Sequence, residues 1–221
     1  MFTVTLIGPD GVGKTTVSHE LKMLLTIPSI TIYMGDNVET SNVMLPTMRW
    51  WKSRHKNEIK DHSNGRKVKG SGLKKLLYAM RKGLGLINRV MDEWYRQTVA
   101  WLYTKRGYVV IFDRHFVYDY YDVDQVKGPQ VAPLKKRLHA KILKATLPEP
   151  DLVICMDAPG QVVFERKGEF TPEFLEKRRQ HYLSLQDKIH NFVAIDATQN
   201  VESVVTQIKT LIETTYWERR R

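Results

Sequence analysis

Five short runs of the chain are apolar almost without a break: FTVTLI (2–7), SITIYM (29–34), YVVIF (108–112), DLVICM (151–156) and FVAI (192–195). They do not alternate with polar residues and are rich in β-branched side chains, so they predict strands covered on both faces of a parallel sheet. Between them, apolar positions recur at helical spacing. Val17, Leu21, Leu24 and Leu25 form one stripe, and Val201, Val204, Val205, Ile208, Leu211 and Ile212 form a regular one near the C-terminus. Thr171-Pro172-Glu173 has a hydroxyl cap, a proline at the first helical position and an acid in the first turn, which predicts a helix start. Strands alternating with helices predict right-handed crossovers and an open, doubly wound sheet.

One connection is much longer than the rest. About seventy residues separate the second and third apolar runs. Leu73, Leu76, Leu77, Met80, Leu84, Ile87, Val90, Met91, Trp94 and Trp101 fall at helical spacing from Leu73 to about Lys105, with Gly83 and Gly85 predicting a kink or break. The stretch before it, RWWKSRHKNEIKDHSNGRKVKGSG, has no period and predicts an irregular loop.

Charge sharpens the picture of that connection. The 221-residue chain carries a net charge of +11, and twelve Lys or Arg against two acids between Arg49 and Lys82 supply nearly all of it. Trp50 and Trp51 stand at the edge of this basic segment, which suits an anionic surface, such as a lipid or glycan phosphate, better than nucleic acid. The alternative is a solvated loop. Cys155, the sole cysteine, lies inside an apolar run, so a disulfide within the chain is excluded and a reducing compartment is expected. The N-terminus reads directly into a strand without a basic leader, and no run approaches the roughly 18 apolar residues of a membrane span. The seven histidines show no metal-ligand spacing. A cytoplasmic protein, with an option of peripheral membrane contact, is the expectation.

The chemistry is concentrated in LIGPDGVGKTT (6–16). Gly8, Gly11 and Gly13 are spaced so that backbone N–H groups can turn inward around a phosphate, and the helix that follows aims its positive end at the same anion. Lys14 then reaches the β- and γ-phosphates, and the Thr15 hydroxyl can ligate Mg²⁺. Gly8, Asp10, Gly11, Val12, Gly13, Lys14, Thr15 and Thr16 are the candidate nucleotide-binding residues. Asp113, at the end of the third run, is placed as a second organiser of Mg²⁺ or as a helix cap, and Arg114 beside it points towards an acceptor. The tip FERKGE (164–169) offers Arg166 as a cation closing over the transferred group, or as an ordinary basic helix end. Asp157 is expected to cap the helix after Pro159. Tyr118, Tyr120 and Tyr121 either line an acceptor pocket or pack against the long connection.

With GPDGVGKTT, DRH, PDLVICMDAP and ERKGEFTPEFLEKRRQHYLSL in this order, the chain resembles thymidylate kinase and its relatives, the P-loop nucleoside monophosphate kinases. The resemblance covers residues 1–34 and 106–216. It implies an α/β P-loop kinase: a five-stranded parallel sheet of order 2-3-1-4-5 flanked by helices, with a basic, largely helical insertion between strands 2 and 3. Residues 1–221 would form one domain, with 35–105 an inserted acceptor-side subdomain carrying a basic loop at 49–72. Mg·ATP is the implied donor. Asp10 would face the acceptor, Arg114 would hold its phosphate, and Arg166 would be a lid arginine. The stretch IDATQN (195–200), including Ala197 and Thr198, would pack on adenine, and a homodimer is implied.

The acceptor half departs from the family pattern. Leu6-Ile7 replaces the usual Phe-Glu, YMGDNVETS replaces an Arg-Glu-Pro-Gly-Gly run, and HFVYDYYDVDQ replaces the Ser…Ala-Tyr-Gln pattern whose glutamine helps read thymine. An ATP-dependent kinase of divergent acceptor specificity is therefore expected, with catalytic candidates Lys14, Asp113, Arg114 and Arg166. For a monophosphate acceptor no strong base is needed. A hydroxyl on a sugar, lipid-linked or glycan acceptor would call on Asp113 or Asp10. A P-loop regulator that only senses or hydrolyses ATP is the third alternative.

Overall fold

The computed structural model describes residues 2–35, 37–54, 72–115, 118 and 134–220. Five strands, β1 (Phe2–Ile7), β2 (Ser29–Tyr33), β3 (Val109–Asp113), β4 (Leu152–Asp157) and β5 (Phe192–Asp196), form one all-parallel sheet of order β2-β3-β1-β4-β5. This is the expected order, and each strand starts or stops within one residue of its apolar run. Alternate residues face opposite sides. Val4 and Leu6 of β1 and Val109 and Ile111 of β3 meet Val17 and Leu21 of α1 (Lys14–Leu24) together with Val204, Val205, Ile208 and Ile212 of α7 (Val201–Glu218). On the other face, Val110, Phe112 and Ile32 pack with Ala100, Leu143 and Leu147. Ile7, Val153 and Cys155 pack there with Tyr182 and Leu185. Both faces are covered, which is why the strands read as continuous apolar runs.

Between β2 and β3 stand α2 (Pro46–Arg54) and the 34-residue α3 (Gly72–Lys105), a rod roughly 50 Å long at the usual rise. Two expectations change here. Residues 49–54 close helix α2 instead of beginning an irregular loop, because Met48 is buried and Thr47 and Met48 both bond Asn88 of α3. Residues 55–71, the rest of the basic loop, lie outside the described residues. Helix α3 also runs unbroken through Gly83 and Gly85. The indole of Trp51 lies against Gly85, where an added Cβ would come within 3.6 Å of it, so this glycine makes room for a ring instead of ending a helix.

Helix α3 grips the sheet through charge as well as apolar contact. Arg96, almost wholly buried, donates to the carbonyls of Tyr33 at 2.9 Å and Gly35 at 3.0 Å and pairs with Asp92 at 2.6 Å. Asp92 in turn accepts from the Leu45 N–H. Chain leaving β2 is thereby held to the helix. A second buried pair joins Glu93 to His139 of α4 (Leu134–Thr146) at 2.6 Å. The outer side of α3 is unusually apolar: Met80, Leu84, Ile87, Met91, Trp94 and Trp101 are all exposed. No helix among the described residues is long and apolar enough to cross a membrane.

Candidate active site

The sheet register brings the carboxyl ends of the strands to one edge. Leu6 of β1 pairs with Asp113 of β3, and Tyr33 of β2 pairs with Asp113 from the other side. The turn after β1 therefore emerges beside Asp113. Gly8 holds φ 141°, and a Cβ there would lie 2.6 Å from the Met156 carbonyl oxygen, so the turn rests on β4 in a way that excludes a side chain. Gly13 sits in the left-handed region and caps α1 without a side chain. The first-turn N–H groups of α1 thus face the turn with no intrahelical partner, as an anion site requires.

Lys14 is buried and folded back on this loop, donating to the carbonyls of Gly8 at 2.6 Å and Pro9 at 2.9 Å. The Thr15 hydroxyl donates to Asp113 Oδ2 at 2.9 Å. One hydroxyl and one carboxylate in contact at the mouth of a phosphate loop are hard oxygen donors suited to Mg²⁺, which takes one or two protein ligands and completes its shell with water and phosphate. Thr15 and Asp113 therefore fit the metal proposed from the sequence. Asp113 also accepts, through its carbonyl, the Met34 N–H.

Asp10 is an electrostatic centre beside the phosphate loop. Its two oxygens are divided between Arg114 Nη2 and Arg178 Nη1, each at 2.7 Å. Burial opposes its charge, but Lys14, Arg114 and Arg178 outweigh that cost and hold the carboxyl at about 2. Arg114 adopts φ 75°, rare for a residue with a side chain, and its guanidinium stands over the Tyr33 ring. His115 is buried and stacked on Tyr118 at 4.7 Å, and desolvation pushes its imidazole down to about 4, so it is neutral at physiological pH. Tyr118 packs into the core; Tyr120 and Tyr121 lie outside the described residues.

Two helices, α5 (Gly160–Lys167) and α6 (Pro172–Leu183), follow β4. A Cβ on Gly11 would meet Lys167 Cβ at 3.1 Å, so the end of α5 stands directly over the phosphate loop. Arg166, next to Lys167, is exposed at this tip. It adds to the lowering of the Asp196 carboxyl, whose main cause is the Thr198 hydroxyl. Thr198 closes that turn by donating to Asp196 at 2.6 Å, and Ala197 is a core residue whose N–H donates to the Asp157 carbonyl. Asp157 does not cap α5. Its carboxylate is taken by both arms of Arg179, at 2.6 and 3.0 Å, and Glu176 instead receives the Gly160 N–H at 2.9 Å. Helix α6 packs so closely that a Cβ on Gly160 would lie 2.4 Å from the Pro172 carbonyl oxygen.

The structure thus brings Lys14, Thr15, Asp113, Arg114 and Asp10 to one mouth, with Arg166 exposed near the end of α5. The sequence reading missed Arg178 and Arg179. The run EKRRQHYL showed adjacent arginines, but nothing local says that one turns to Asp10 and the other to Asp157. Of the two tryptophans at the edge of the basic segment, Trp50 is exposed with Arg54 over its ring, while Trp51 is packed on α3.

No protein-family model matches the chain. Two thymidylate kinases align with part of it: that of Thermosipho melanesiensis, 37% identical over 76 residues, and that of Thermosipho africanus, 33% identical over 72 residues. Each alignment covers 29% of this chain and 37% or 36% of the relative, so the chain matches about a third of their length. Among solved structures, the thymidylate kinase from Candida albicans superposes with a TM-score of 0.63 at 19% identity, covering 97% of this chain and 92% of that one. In fold, the chain resembles thymidylate kinase. Deoxyadenosine kinase from M. mycoides, solved with bound dATP, superposes with a TM-score of 0.55 at 17% identity, covering 96% of this chain and all of that one. At these identities both superpositions establish the fold.

Proposed function

We propose that this protein is an ATP-dependent kinase that moves the γ-phosphate of Mg·ATP to a nucleoside monophosphate. The observation that carries this reading is the convergence of Thr15 with Asp113 and of Arg114 with Asp10 at the mouth of one phosphate loop. Phosphoryl transfer asks little covalent chemistry of the protein; positioning and charge stabilisation supply the rate. The loop N–H groups and α1 hold the donor phosphates. Lys14 exchanges the Gly8 and Pro9 carbonyls for phosphate oxygens. Thr15 and Asp113 would hold Mg²⁺, which when bound neutralises charge on the phosphate oxygens. Arg114 orients the acceptor, and Arg166 and Lys167 approach from the lid.

The partial sequence matches to thymidylate kinases support a nucleotide acceptor, while YMGDNVETS and HFVYDYYDVDQ leave the base to be determined. The exposed stripe on α3 repeats at intervals of four and three residues, from Met80 through Trp94, which supports pairing with a second copy of the chain. ADP release over a panel of nucleoside monophosphates, nucleosides and sugar derivatives tests the function. Lys14-dependent turnover on a monophosphate is the expected result. Turnover unchanged in Lys14→Ala, or confined to sugars, would refute it.

A further inference from the structure

We infer that Arg219 and Arg220 form a second binding site, for a single phosphate group, at the end of the sheet opposite the phosphate loop. This site shares no residue with the one described above and does not depend on the kinase reading.

Phe2 opens β1, Tyr108 precedes β3, and Arg219 and Arg220 follow α7. In an all-parallel sheet the amino ends of the strands gather at one edge, roughly 20 Å from the phosphate loop by the length of β1. There these residues, with Tyr216 and Gly107, line an open cavity of about 60 Å³, and no acid is among the described residues that line it. A volume of that order takes a few waters or one tetrahedral oxyanion and is too small for a nucleoside.

Both guanidiniums are held in place by the protein itself. Arg219 pairs with Asp151 and stands over the Phe2 ring at 6.0 Å. Arg220 stands over the Tyr216 ring at 4.8 Å, and Tyr216 is buried edge to face against Phe2 at 5.6 Å. A planar fork stacked on a ring has already lost part of its rotamer freedom, so less is lost when it takes an oxyanion.

The charges at this edge do not cancel. Asp151 offsets Arg219, and its other oxygen already accepts the Thr3 N–H at 2.8 Å and the Thr3 hydroxyl at 2.9 Å. Arg220 makes no ion pair among the described residues. The charged neighbours in sequence, Lys105, Arg106 and Glu218, do not line the cavity, and Arg221 lies outside the described residues. One net positive charge therefore remains at the cavity. Two forks offer more N–H donors than the two oxygens of a carboxylate use well, whereas the three terminal oxygens of a phosphate accept them. A free phosphate ion and the phosphate of a small monoester present this same group, the ester body projecting through the open mouth.

The test follows the Gly107 amide of the full chain by NMR, because this lining group reports on the cavity and not on the phosphate loop. Inorganic phosphate, glycerol 3-phosphate and acetate are titrated at constant ionic strength into wild type, R220M, R220K and K14A. The Gly107 resonance should move saturably with a phosphate, and acetate should bind about tenfold more weakly or worse. R220M, a change at an exposed side chain, should weaken phosphate binding about tenfold or more, the scale of one charged contact. R220K should fall between, since it keeps the charge and loses the fork. K14A should leave the Gly107 titration as it is in wild type. Tighter binding of glycerol 3-phosphate than of inorganic phosphate would support the site and assign it to a monoester; the reverse order would support it and assign it to the free ion. A Gly107 resonance that does not saturate, an affinity unchanged in R220M, a response lost in K14A, or acetate binding as tightly as phosphate would each overturn the inference.

Discussion

The Thr15 hydroxyl donates to Asp113 Oδ2 at 2.9 Å, joining the start of α1 to the end of β3 across 98 residues of chain. Only the parallel pairing of β1 with β3 makes that contact, so the metal site proposed above depends on the fold. Thr15→Val should raise the Mg²⁺ concentration needed for half-maximal turnover, and Asp113→Asn should lower kcat on the order of 10²-fold by misplacing the phosphates. Metal titrations that superpose on wild type for both variants would contradict this assignment.

Gly8 has no room for a side chain. Gly8→Ala should destabilise the fold by roughly 1–3 kcal/mol from backbone strain, with the contact to the Met156 carbonyl adding to it. Urea unfolding gives the value. A stability equal to wild type would mean that the loop does not rest on β4 as described.

Arg96 holds the chain leaving β2 while pairing with Asp92. Arg96→Met removes three charged hydrogen bonds and strands Asp92 in the interior, so a loss of about 3–5 kcal/mol is expected. The double variant R96M/D92N should be less damaged than R96M alone, since the unpaired charge is gone. Additive losses would show that the pair is not a unit.

Acid should act in two separate windows. His115 is held neutral down to about pH 4, against 6.5 ordinarily, so the unfolded chain protonates first and stability falls between about pH 6.5 and 4. Asp10 is held ionised to about 2, against 3.8 ordinarily; its contribution of about 2 kcal/mol is complete above pH 4 and disappears as pH falls towards 2. His115→Phe should flatten the first window and Asp10→Asn the second, as read from unfolding midpoints across pH.

The strands were legible because a strand buried on both faces leaves an unbroken apolar run, and the phosphate loop because its residues are contiguous. Partners distant in sequence were not. Nothing around Asp157 says that Arg179 claims it, and the helix after Pro159 starts under a carboxylate from Glu176, sixteen residues further on. Gly83 and Gly85 look like helix breakers until the Trp51 ring is placed against Gly85. The signal there is tertiary: a small residue opposite a large one on a neighbouring helix.

Cys155, buried at the middle of β4, pairs along the sheet with Ile7 on one side and Ala194 on the other. A thiol in that position reacts with an alkylating reagent only when the strands separate. The labelling rate of this one thiol therefore reads the opening frequency of the sheet itself. Nucleotide that binds the loop resting on β4 should slow it, giving a measure of ligand binding that needs no turnover.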